Sequence, residues 1–324
     1  MNTVYSAVAT VYNDAKDVVS LLDNLCGQTV KPFEIVVADG GSKDETVAVI
    51  ETYAKKAPVP IRVLSGKRLN ISQGLNEAIR ASQGELIMIS AVGNRYPQNF
   101  AHELLLAITD GEPALVYPIV DGENDSDFAR RYNAEILEST LRAGIDGRGM
   151  NHGCLLRRSA FARVGMFYER FYYAGEDFEF SRRLQAEGLN QKCVPGLRVI
   201  WRVPQTCEAF CRQTEVYLIA WLQLYSYKEL FRFYLGAFYN FPGSVFRVWW
   251  HGEKASLKDW WRVCEVKCFL RHVRYLFPDK HIRKQFIPKL QLLCDENFDL
   301  HSGLQCGALL AAVPCKCVRF HWSM

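Results

Sequence analysis

An acidic pair, Glu176-Asp177, is the clearest candidate for chemistry, and it lies in the segment AGEDFEFSRRL of residues 174–184. Apolar side chains follow the pair at helical spacing, so the pattern predicts a helix that begins at the two carboxylates. The dipole and the free amides at a helix start keep a carboxylate ionised. Such a carboxylate can take the proton from a hydroxyl group whose oxygen attacks a carbon atom. An acidic cap on a helix surface is the alternative interpretation.

A second carboxylate, Asp39, lies where the apolar run of residues 34–38 enters a Gly-Gly-Ser turn. The glycines permit a positive φ and a close approach of the backbone to a ligand. Asp39 could accept hydrogen bonds from a base imide or a ribose hydroxyl, or it could belong only to a helix N-terminal turn. The spacing of Ser42 and Glu45 fits a capping box, which predicts a helix that begins at Ser42.

The elements that must position these residues alternate along the first 120 residues. Short apolar runs predict strands at Val4–Val11, Glu34–Ala38, Ile61–Leu64, Glu85–Ser90 and Ala114–Val120. Further along the chain, a strand flanked by prolines is expected at Pro195–Pro204. Amphipathic stretches between them predict helices at Asp14–Leu25, from Ser42 to about Lys55, at Ser72–Ser82 and at Asn99–Ile108. This order indicates a mostly parallel sheet with helices on both faces, which binds ligands at the carboxyl ends of its strands. We therefore expect four segments to meet there: Thr10–Asn13, Asp39–Asp44, Ser65–Gln73 and Ser90–Pro97.

The order and spacing of four segments resemble family 2 glycosyltransferases. They are TVYN at residues 10–13, DGGSKDET at 39–46, the stretch 68–85 and the acidic motif at 174–184. The stretch 68–85 is most similar to exopolysaccharide-synthesis transferases of the succinoglycan type. The resemblance covers roughly residues 4–221. It implies the GT-A fold, an α/β fold with a Rossmann-like, mostly parallel sheet, over residues 1–205, with a helical, aromatic and basic extension over residues 206–324.

The resemblance also implies roles for individual residues. Asp177 would be the base of an inverting transfer, and Glu176 would support it or orient the acceptor. The nucleotide of the donor, which we expect to be a UDP-sugar, would contact Thr10, Tyr12, Asn13, Asp39, Gly41 and Arg68. Contacts to the donor sugar, the diphosphate or a glycan or lipid-linked acceptor are expected from Asn94, Arg95, Asn151, His152, Arg202, Arg212 and Gln213. Structural or salt-bridged surface roles are the alternatives for this last group.

The chain departs from the family at the segment ISAVGNRYP, residues 89–97. The family usually places a DxD motif there, whose carboxylates hold Mg²⁺ or Mn²⁺ against the diphosphate. Tyr96-Pro97 of the pattern is present, the carboxylates are absent, and Asn94 is the nearest side chain with a good neutral oxygen ligand. Two interpretations remain: a transferase that works without a metal, with arginines or a helix N-terminus carrying the charge, or a degenerate protein that binds sugar nucleotides or glycans as a scaffold subunit.

The composition favours an ordinary globular protein of the cytoplasm. Apolar residues make up 49% of the chain and charged residues 23%, which excludes disorder for most of it. The 11 cysteines form no CxxC pair, and the start of the chain does not look like a signal peptide, so we expect free thiols in a reducing compartment. No motif of a nucleic-acid reader is present. A homo-oligomer is compatible with the sequence.

The last third of the chain is basic and aromatic. From Trp201 onward it carries 17 Lys and Arg against 10 Asp and Glu. No stretch there predicts a membrane-spanning helix, because charges interrupt the most hydrophobic run, Val216–Leu235. The hypothesis is peripheral docking on the inner membrane face through Trp249, Trp250, Trp260 and Trp261 with Lys254, Lys258 and Arg262. The alternative is that these aromatic residues pack a helical subdomain or a dimer interface.

Overall fold

The structure is a computed structural model that describes residues 4–110, 113–123, 125–137, 150–171, 174–224, 243–251 and 254–276. Within these ranges the side chains of residues 136, 137, 151, 219–224 and 267–276 are not described. The chain divides into two compact units. The first contains residues up to 123 together with 137–203, and the second contains 124–136 together with the residues from 204 onward.

An eight-stranded sheet formed by the described residues is the centre of the first unit, with the strand order β3-β2-β1-β4-β7-β6-β8-β5. The strands are β1 Tyr5–Val11, β2 Glu34–Asp39, β3 Ile61–Leu64, β4 Leu86–Ala91, β5 Asn94–Arg95, β6 Leu115–Gly122, β7 Cys154–Arg157 and β8 Gln191–Trp201. β3, β2, β1 and β4 are parallel, and β6 is parallel to β8. β7 runs antiparallel to both β4 and β6, and β5 runs antiparallel to β8.

Helices cover both faces of this sheet. In the first unit they are α1 Val18–Cys26, α2 Thr46–Ala54, α3 Ile71–Ala81, α4 Phe100–Thr109, α6 Arg158–Val164 and α7 Glu176–Ala186. The helices α1, α2 and α4 pack on one face, where Leu22, Ile50 and Phe100 are fully buried. The helices α3, α6 and α7 pack on the other face, with Ile79 and Phe180 at the centre of the second core. The buried strands β1, β2 and β4 are apolar almost throughout, because both of their faces are covered.

The second unit is helical in the part that the structure describes. It contains α5 Asp127–Tyr132, α8 Cys207–Leu224, the helical residues 243–251, which we call α9, and α10 Leu257–Leu276. α8 packs against α10. No helix within the described residues is long and apolar enough to cross a membrane. The division of the chain at residue 205 that the sequence indicated stays a prediction.

The observed elements confirm the predicted α/β class, with three differences. The sheet is mixed, since the short strand β7 separates the two parallel parts. The strand expected at Pro195–Pro204 is β8, which begins earlier, at Gln191, and ends at Trp201. The capping box at Ser42 was wrong: α2 begins at Thr46, and the Ser42 hydroxyl donates a hydrogen bond to Asp39 at 2.5 Å instead.

Candidate functional site

A cavity of about 450 Å³ opens at the carboxyl ends of β1, β2, β4 and β8. All four segments expected at this edge of the sheet contribute to its wall. The lining residues are Thr10, Val11, Tyr12, Asp14, Asp17, Ala38, Gly40, Leu69, Asn70, Ile71, Gly74, Ala91, Val92, Gly93, Trp201 and Arg202. The parallel strands therefore bring together residues that lie up to 192 positions apart in the chain.

One wall of the cavity consists of two loops that are fastened to each other. Asn13, at a positive φ of 54°, donates its backbone N–H to the Ser42 hydroxyl at 2.8 Å. The Asn13 side-chain oxygen accepts the Lys43 backbone N–H, also at 2.8 Å. The Asp14 backbone N–H donates to the Thr46 hydroxyl at 2.8 Å. Asn13 thus joins the two loops behind the exposed ring of Tyr12, rather than lining the cavity itself.

Asp39 is buried beneath this wall and is not a lining residue. Its carboxylate accepts hydrogen bonds from the backbone N–H of Gly41 at 3.1 Å and from the N–H and hydroxyl of Ser42. Both carboxylate oxygens are therefore engaged within the turn. The neighbouring Gly40 takes the position at the cavity. Gly41 has a φ of 92°, and a Cβ there would lie 3.3 Å from the Cα of Arg68, so the turn needs glycine at this point.

Helix α3 supplies the opposite wall. Asn70 caps it, because its side-chain oxygen accepts the Gln73 N–H at 2.9 Å while the Gln73 side chain accepts the Asn70 N–H. Gly74 faces β1, and a Cβ added to it would lie 2.6 Å from Cγ2 of Thr10. The sequence interpretation missed Gly74 as a site residue. A glycine inside an otherwise helical stretch was the signal that could have identified it.

The cation that lines the cavity, within the described part of the chain, is Arg202 at the end of β8. Its Nη1 atom lies 3.4 Å from Oδ2 of Asp17, which is also a lining residue. Its Nε atom lies 4.0 Å from the carboxylate of the buried Glu123, which binds Arg95 at 2.7 Å. Glu123 therefore connects Arg95 to Arg202. Arg68 is exposed and does not line the cavity.

Two carboxylates at the cavity, Asp14 and Asp17, were not predicted from the sequence. Burial raises the pKa of Asp14, and the charges of Asp17 and Asp44 raise it further, whereas the hydrogen bond from the Tyr12 backbone N–H opposes them. The two residues occupy the turn before α1, where acidic residues usually serve only as helix starts. Nothing in their spacing distinguishes them from such caps.

The segment that replaces the DxD motif forms an uncharged part of the cavity wall. Ala91, Val92 and Gly93 are lining residues, and the buried Ser90 donates its hydroxyl to the Val8 carbonyl at 3.1 Å. Among the residues that the structure describes, no group of three His, Cys, Asp or Glu side chains could hold a metal ion. The donor set at this position therefore does not fit the divalent cation that the fold family implies.

Behind that wall lies a polar cluster around His152. Its Nδ1 atom is 3.3 Å from Oδ1 of the buried Asn94, and Asn94 lies 3.4 Å from the hydroxyl of Tyr96. The imidazole ring packs against the indole of Trp201, with 4.5 Å between the ring centroids. Burial lowers the pKa of His152 to about 4, so the ring is neutral near pH 7. His152 thus supports Trp201, which lines the cavity.

The acidic pair lies at the start of α7, as predicted, and outside the set of lining residues. Glu176 is buried and Asp177 is half-buried. The Asp177 carboxylate accepts the Phe178 backbone N–H at 2.8 Å. Burial raises the pKa of Cys154 in β7, and the charge of Asp177 raises it further.

The remaining predicted residues are not among the lining residues of the cavity, or their side chains are outside what is described. Arg212 and Gln213 belong to α8 of the second unit, where Arg212 pairs with Glu208 at 3.3 Å. The backbone of Asn151 lies in the short helical turn Met150–His152, and its side chain is outside the described residues.

Comparison with known proteins gives two family matches. The model described as glycosyl transferase family 2 matches residues 6–169, which is half of the chain. A second model, glycosyl transferase family group 2, matches residues 145–277.

Individual relatives are distant. The uncharacterized glycosyltransferase RP339 of Rickettsia prowazekii is 28% identical over 179 residues, 52% of this chain and 54% of that protein. The succinoglycan biosynthesis protein ExoA of Rhizobium meliloti is 26% identical over 222 residues, 64% of this chain and 63% of that protein. The chain therefore spans about half the length of the first curated relatives that it matches.

Among solved structures, the mannosyltransferase PcManGT from Pyrobaculum calidifontis superposes with a TM-score of 0.55 at 17% identity. The superposition covers 95% of this chain and 77% of that protein. At this identity the similarity is informative about the fold alone.

Proposed function

Because the chain belongs to glycosyl transferase family 2 and has the GT-A fold, we propose that it transfers a sugar from a nucleoside-diphosphate donor to a glycan or lipid-linked acceptor. The observation that carries the proposal is the cavity at the strand ends, whose wall draws on all four segments expected at that edge of the sheet, three of which overlap the segments that resemble the family. The role in polysaccharide biosynthesis rests on relatives such as ExoA and an undecaprenyl-phosphate sugar transferase of Pseudomonas fluorescens.

The nucleoside part of the donor, in this proposal, binds between the two walls of the cavity. Thr10 and Gly40 line the cavity, and the half-exposed ring of Tyr12 can stack on a planar base. We propose UDP as the nucleotide. Asp39 then acts through the turn that it holds together, because its oxygens are already hydrogen-bonded. PcManGT, in contrast, was solved with GDP-mannose and Mn²⁺.

The diphosphate charge is assigned to Arg202 in this proposal, without a metal. Arg202 lines the cavity next to the uncharged segment Ala91–Gly93, where carboxylates would otherwise hold a cation, and its backbone N–H donates to the Gly93 carbonyl at 3.2 Å. A guanidinium can form two parallel hydrogen bonds to phosphate oxygens, and its charge stabilises the departing nucleoside diphosphate. Glu123 orients Arg202 and Arg95 from behind.

The transfer itself is proposed to invert the anomeric carbon, with Asp177 as the base. The Asp177 carboxylate accepts the proton of the acceptor hydroxyl, and the hydroxyl oxygen forms the new bond to the anomeric carbon. The bond from that carbon to the diphosphate oxygen breaks on the opposite side. Glu176, buried beside Asp177, supports the position of the carboxylate at the start of α7.

The donor site is tested by calorimetric titration of the full chain with UDP in the presence of EDTA. Arg202→Gln should weaken binding roughly tenfold to a hundredfold, as expected for the loss of a charge-assisted contact to phosphate. Arg198→Gln is the matched control, because Arg198 lies on the same strand, pairs with Asp121 and does not line the cavity. Equal affinities of the two variants would contradict the role of Arg202, and no binding of UDP by the wild type would contradict the nucleotide.

The catalytic base is tested by the release of nucleoside diphosphate from a UDP-sugar. Asp177→Asn should keep donor affinity and lose turnover by about a hundredfold or more. Glu187→Gln, an exposed carboxylate just beyond the other end of α7, is the control. Donor binding without turnover in the wild type would instead favour the scaffold protein that lacks catalysis.

The cellular location is part of the proposal. The cysteines whose side chains the structure describes are free thiols, which supports the reducing cytoplasm, where we place the protein. A lipid-linked acceptor would require the enzyme to work at the inner face of a membrane. A homo-oligomer stays a prediction.

A further inference from the structure

Helix α9, residues 243–251, exposes three large aromatic side chains together. Phe246, Trp249 and Trp250 are 58%, 44% and 67% exposed. Their spacing of three and four residues puts them on one face of the helix. Each pair of rings has its centroids 6.1 Å apart, so the three form one continuous patch, which we call the aromatic patch.

The aromatic patch is not needed to anchor α9 in its own unit. Val245 and Val248, on the opposite face, are 2% and 0% exposed and fix the helix against its neighbours. Ser244 and Arg247 add hydrogen bonds to the buried Asp259 at 2.8 and 2.7 Å. A protein surface seldom exposes several large aromatic residues together unless they contact something.

The four tryptophans expected at a membrane surface separate into two pairs. Trp260 is 1% exposed, and Trp261 donates its indole N–H to Glu265 at 2.6 Å, so both belong to the packing of α10. Trp249 and Trp250 remain on the outside. Packing within the helical unit therefore applies to Trp260 and Trp261, and docking on a membrane can apply only to Trp249 and Trp250 of these four.

In the described residues 243–251 and 254–266, the charged side chains that are exposed are basic. The acidic side chains described in residues 243–266, Asp259 and Glu265, are only 5% and 6% exposed. The basic side chains that reach the surface in the same ranges are Arg247, Lys254, Lys258 and Arg262. Lysines and arginines near an anionic phospholipid surface attract it, and tryptophan prefers the boundary between headgroups and acyl chains.

We propose that the aromatic patch is a membrane anchor that inserts into the interface of an anionic phospholipid bilayer. Phe246, Trp249 and Trp250 enter the boundary between headgroups and acyl chains, and Lys254 and Lys258 bind the headgroup phosphates. The protein lies on the bilayer through this helix, which uses apolar burial and charge together. The anchor can be tested independently of the proposed sugar transfer, because vesicle binding is measured without donor or acceptor.

The test is flotation of the full chain with vesicles of phosphatidylcholine alone, or of phosphatidylcholine and phosphatidylglycerol in equal parts. The wild type should bind the anionic vesicles, with a blue shift of its tryptophan emission. The double variant Trp249→Ser/Trp250→Ser should lose binding by roughly a hundredfold, at about tenfold per large aromatic side chain. Phe33→Ser/Leu106→Ser is the control, because those residues are equally exposed, at 52% and 54%, in the first unit.

The contribution of charge is tested with the double variant Lys254→Gln/Lys258→Gln. It should weaken binding to the anionic vesicles about fivefold per lysine and leave binding to phosphatidylcholine unchanged. Lys55→Gln/Lys56→Gln, two exposed lysines just after α2, should change neither. Added salt should reduce the affinity of the wild type towards that of the lysine variant.

Two results would overturn the anchor. One is a wild type that floats with neither kind of vesicle, and the other is a tryptophan variant that binds as well as the wild type. Gel filtration then identifies what covers the patch: a wild type that is larger than the tryptophan variant points to a second copy of the chain. Equal sizes point to the chain's own segments.

Discussion

At the scale of single residues, Arg202 provides the positive charge in the wall of the cavity, within the described residues. In the absence of ligand its guanidinium contacts Asp17 at 3.4 Å, and both side chains are more than a third exposed. A diphosphate must compete with Asp17 for this guanidinium, and it is also repelled by the carboxylate. Asp17→Asn should therefore tighten UDP binding, by roughly threefold to tenfold, in a calorimetric titration.

A double-mutant cycle separates competition for Arg202 from general repulsion. If Asp17 acts by holding Arg202, the gain from Asp17→Asn should be largely lost in an Arg202→Gln background. The same gain in both backgrounds would mean that the Asp17 charge acts directly on the ligand. Weaker binding by Asp17→Asn alone would contradict the competition and indicate that Asp17 orients Arg202 for its ligand.

His152 makes stability depend on pH in a defined window. Its pKa is lowered by burial to about 4 in the folded chain, against about 6.5 when unfolded. Between these values the unfolded imidazole is protonated and the folded one is not, so stability should fall as the pH decreases from about 6.5 to 4. The full loss from this group is up to about 3 kcal/mol.

Denaturant unfolding at pH 7 and at pH 4.5 measures this effect. His152→Gln should lose less stability between the two pH values than the wild type, whatever its absolute stability. His102→Gln, which replaces an exposed histidine of α4, should lose as much stability between the two pH values as the wild type does. If His152→Gln leaves the dependence of stability on pH unchanged, His152 is not the cause of that dependence.

At the scale of elements, α3 and β1 approach so closely that the cavity depends on a glycine. A methyl group at Gly74 would lie 2.6 Å from Thr10 Cγ2 and 3.6 Å from Ala38 Cβ. Ala normally stabilises a helix by about 1 kcal/mol relative to Gly. Gly74→Ala should instead destabilise by about 1–3 kcal/mol, since Thr10 must shift, and UDP affinity should fall with it.

The direction in which Gly74→Ala shifts the thermal unfolding midpoint shows which of the two effects is larger. Thermal unfolding would give a higher midpoint if the helix propensity dominated, and a lower one if the contact with Thr10 does. A double variant, Thr10→Ser/Gly74→Ala, removes the methyl group that the new Cβ would meet and should recover most of the lost stability.

The sequence predicted the elements around the cavity better than the directions of their side chains. Strand ends and helices follow from apolar periodicity, so the four segments at Thr10, Asp39, Arg68 and Ser90 could be expected at one edge of the sheet. Which residue of each segment faces the cavity depends on local hydrogen bonds. Ser42 shows this, since its hydroxyl binds Asp39 and Asn13 rather than capping α2.

At the scale of the whole molecule, the chain combines the GT-A fold with a cavity that offers, among the described residues, no group of three His, Cys, Asp or Glu side chains able to hold a metal ion. We expect sugar transfer, or hydrolysis of the donor, at equal rates in EDTA and in Mn²⁺, because the proposal assigns to Arg202 the charge that a metal would supply. Loss of activity in EDTA that Mn²⁺ restores would contradict this. The double variant Ala91→Asp/Gly93→Asp, which places two carboxylates in this segment, should not gain activity in EDTA.

Contributions from distant parts of the chain were the hardest to predict. Arg202 directly follows β8, more than a hundred residues beyond β4, and Asp17 comes from the turn before α1. Their meeting depends on the order of strands in the sheet, and on β7 lying between β4 and β6, which periodicity does not encode. The resemblance to the family indicated Arg202 as a candidate, whereas no feature of the sequence indicated Asp14 and Asp17.

The fastening of the two loops at Asn13 has a consequence for the kinetics of recognition. The hydrogen bonds that Asn13 and Asp14 exchange with Ser42, Lys43 and Thr46 exist before any ligand arrives. A ligand that enters between the walls therefore spends little conformational entropy on ordering them. Association should proceed at the pace of diffusion and electrostatic attraction, without a slow phase of loop closure on this side, and differences among donors should emerge in how long each one stays.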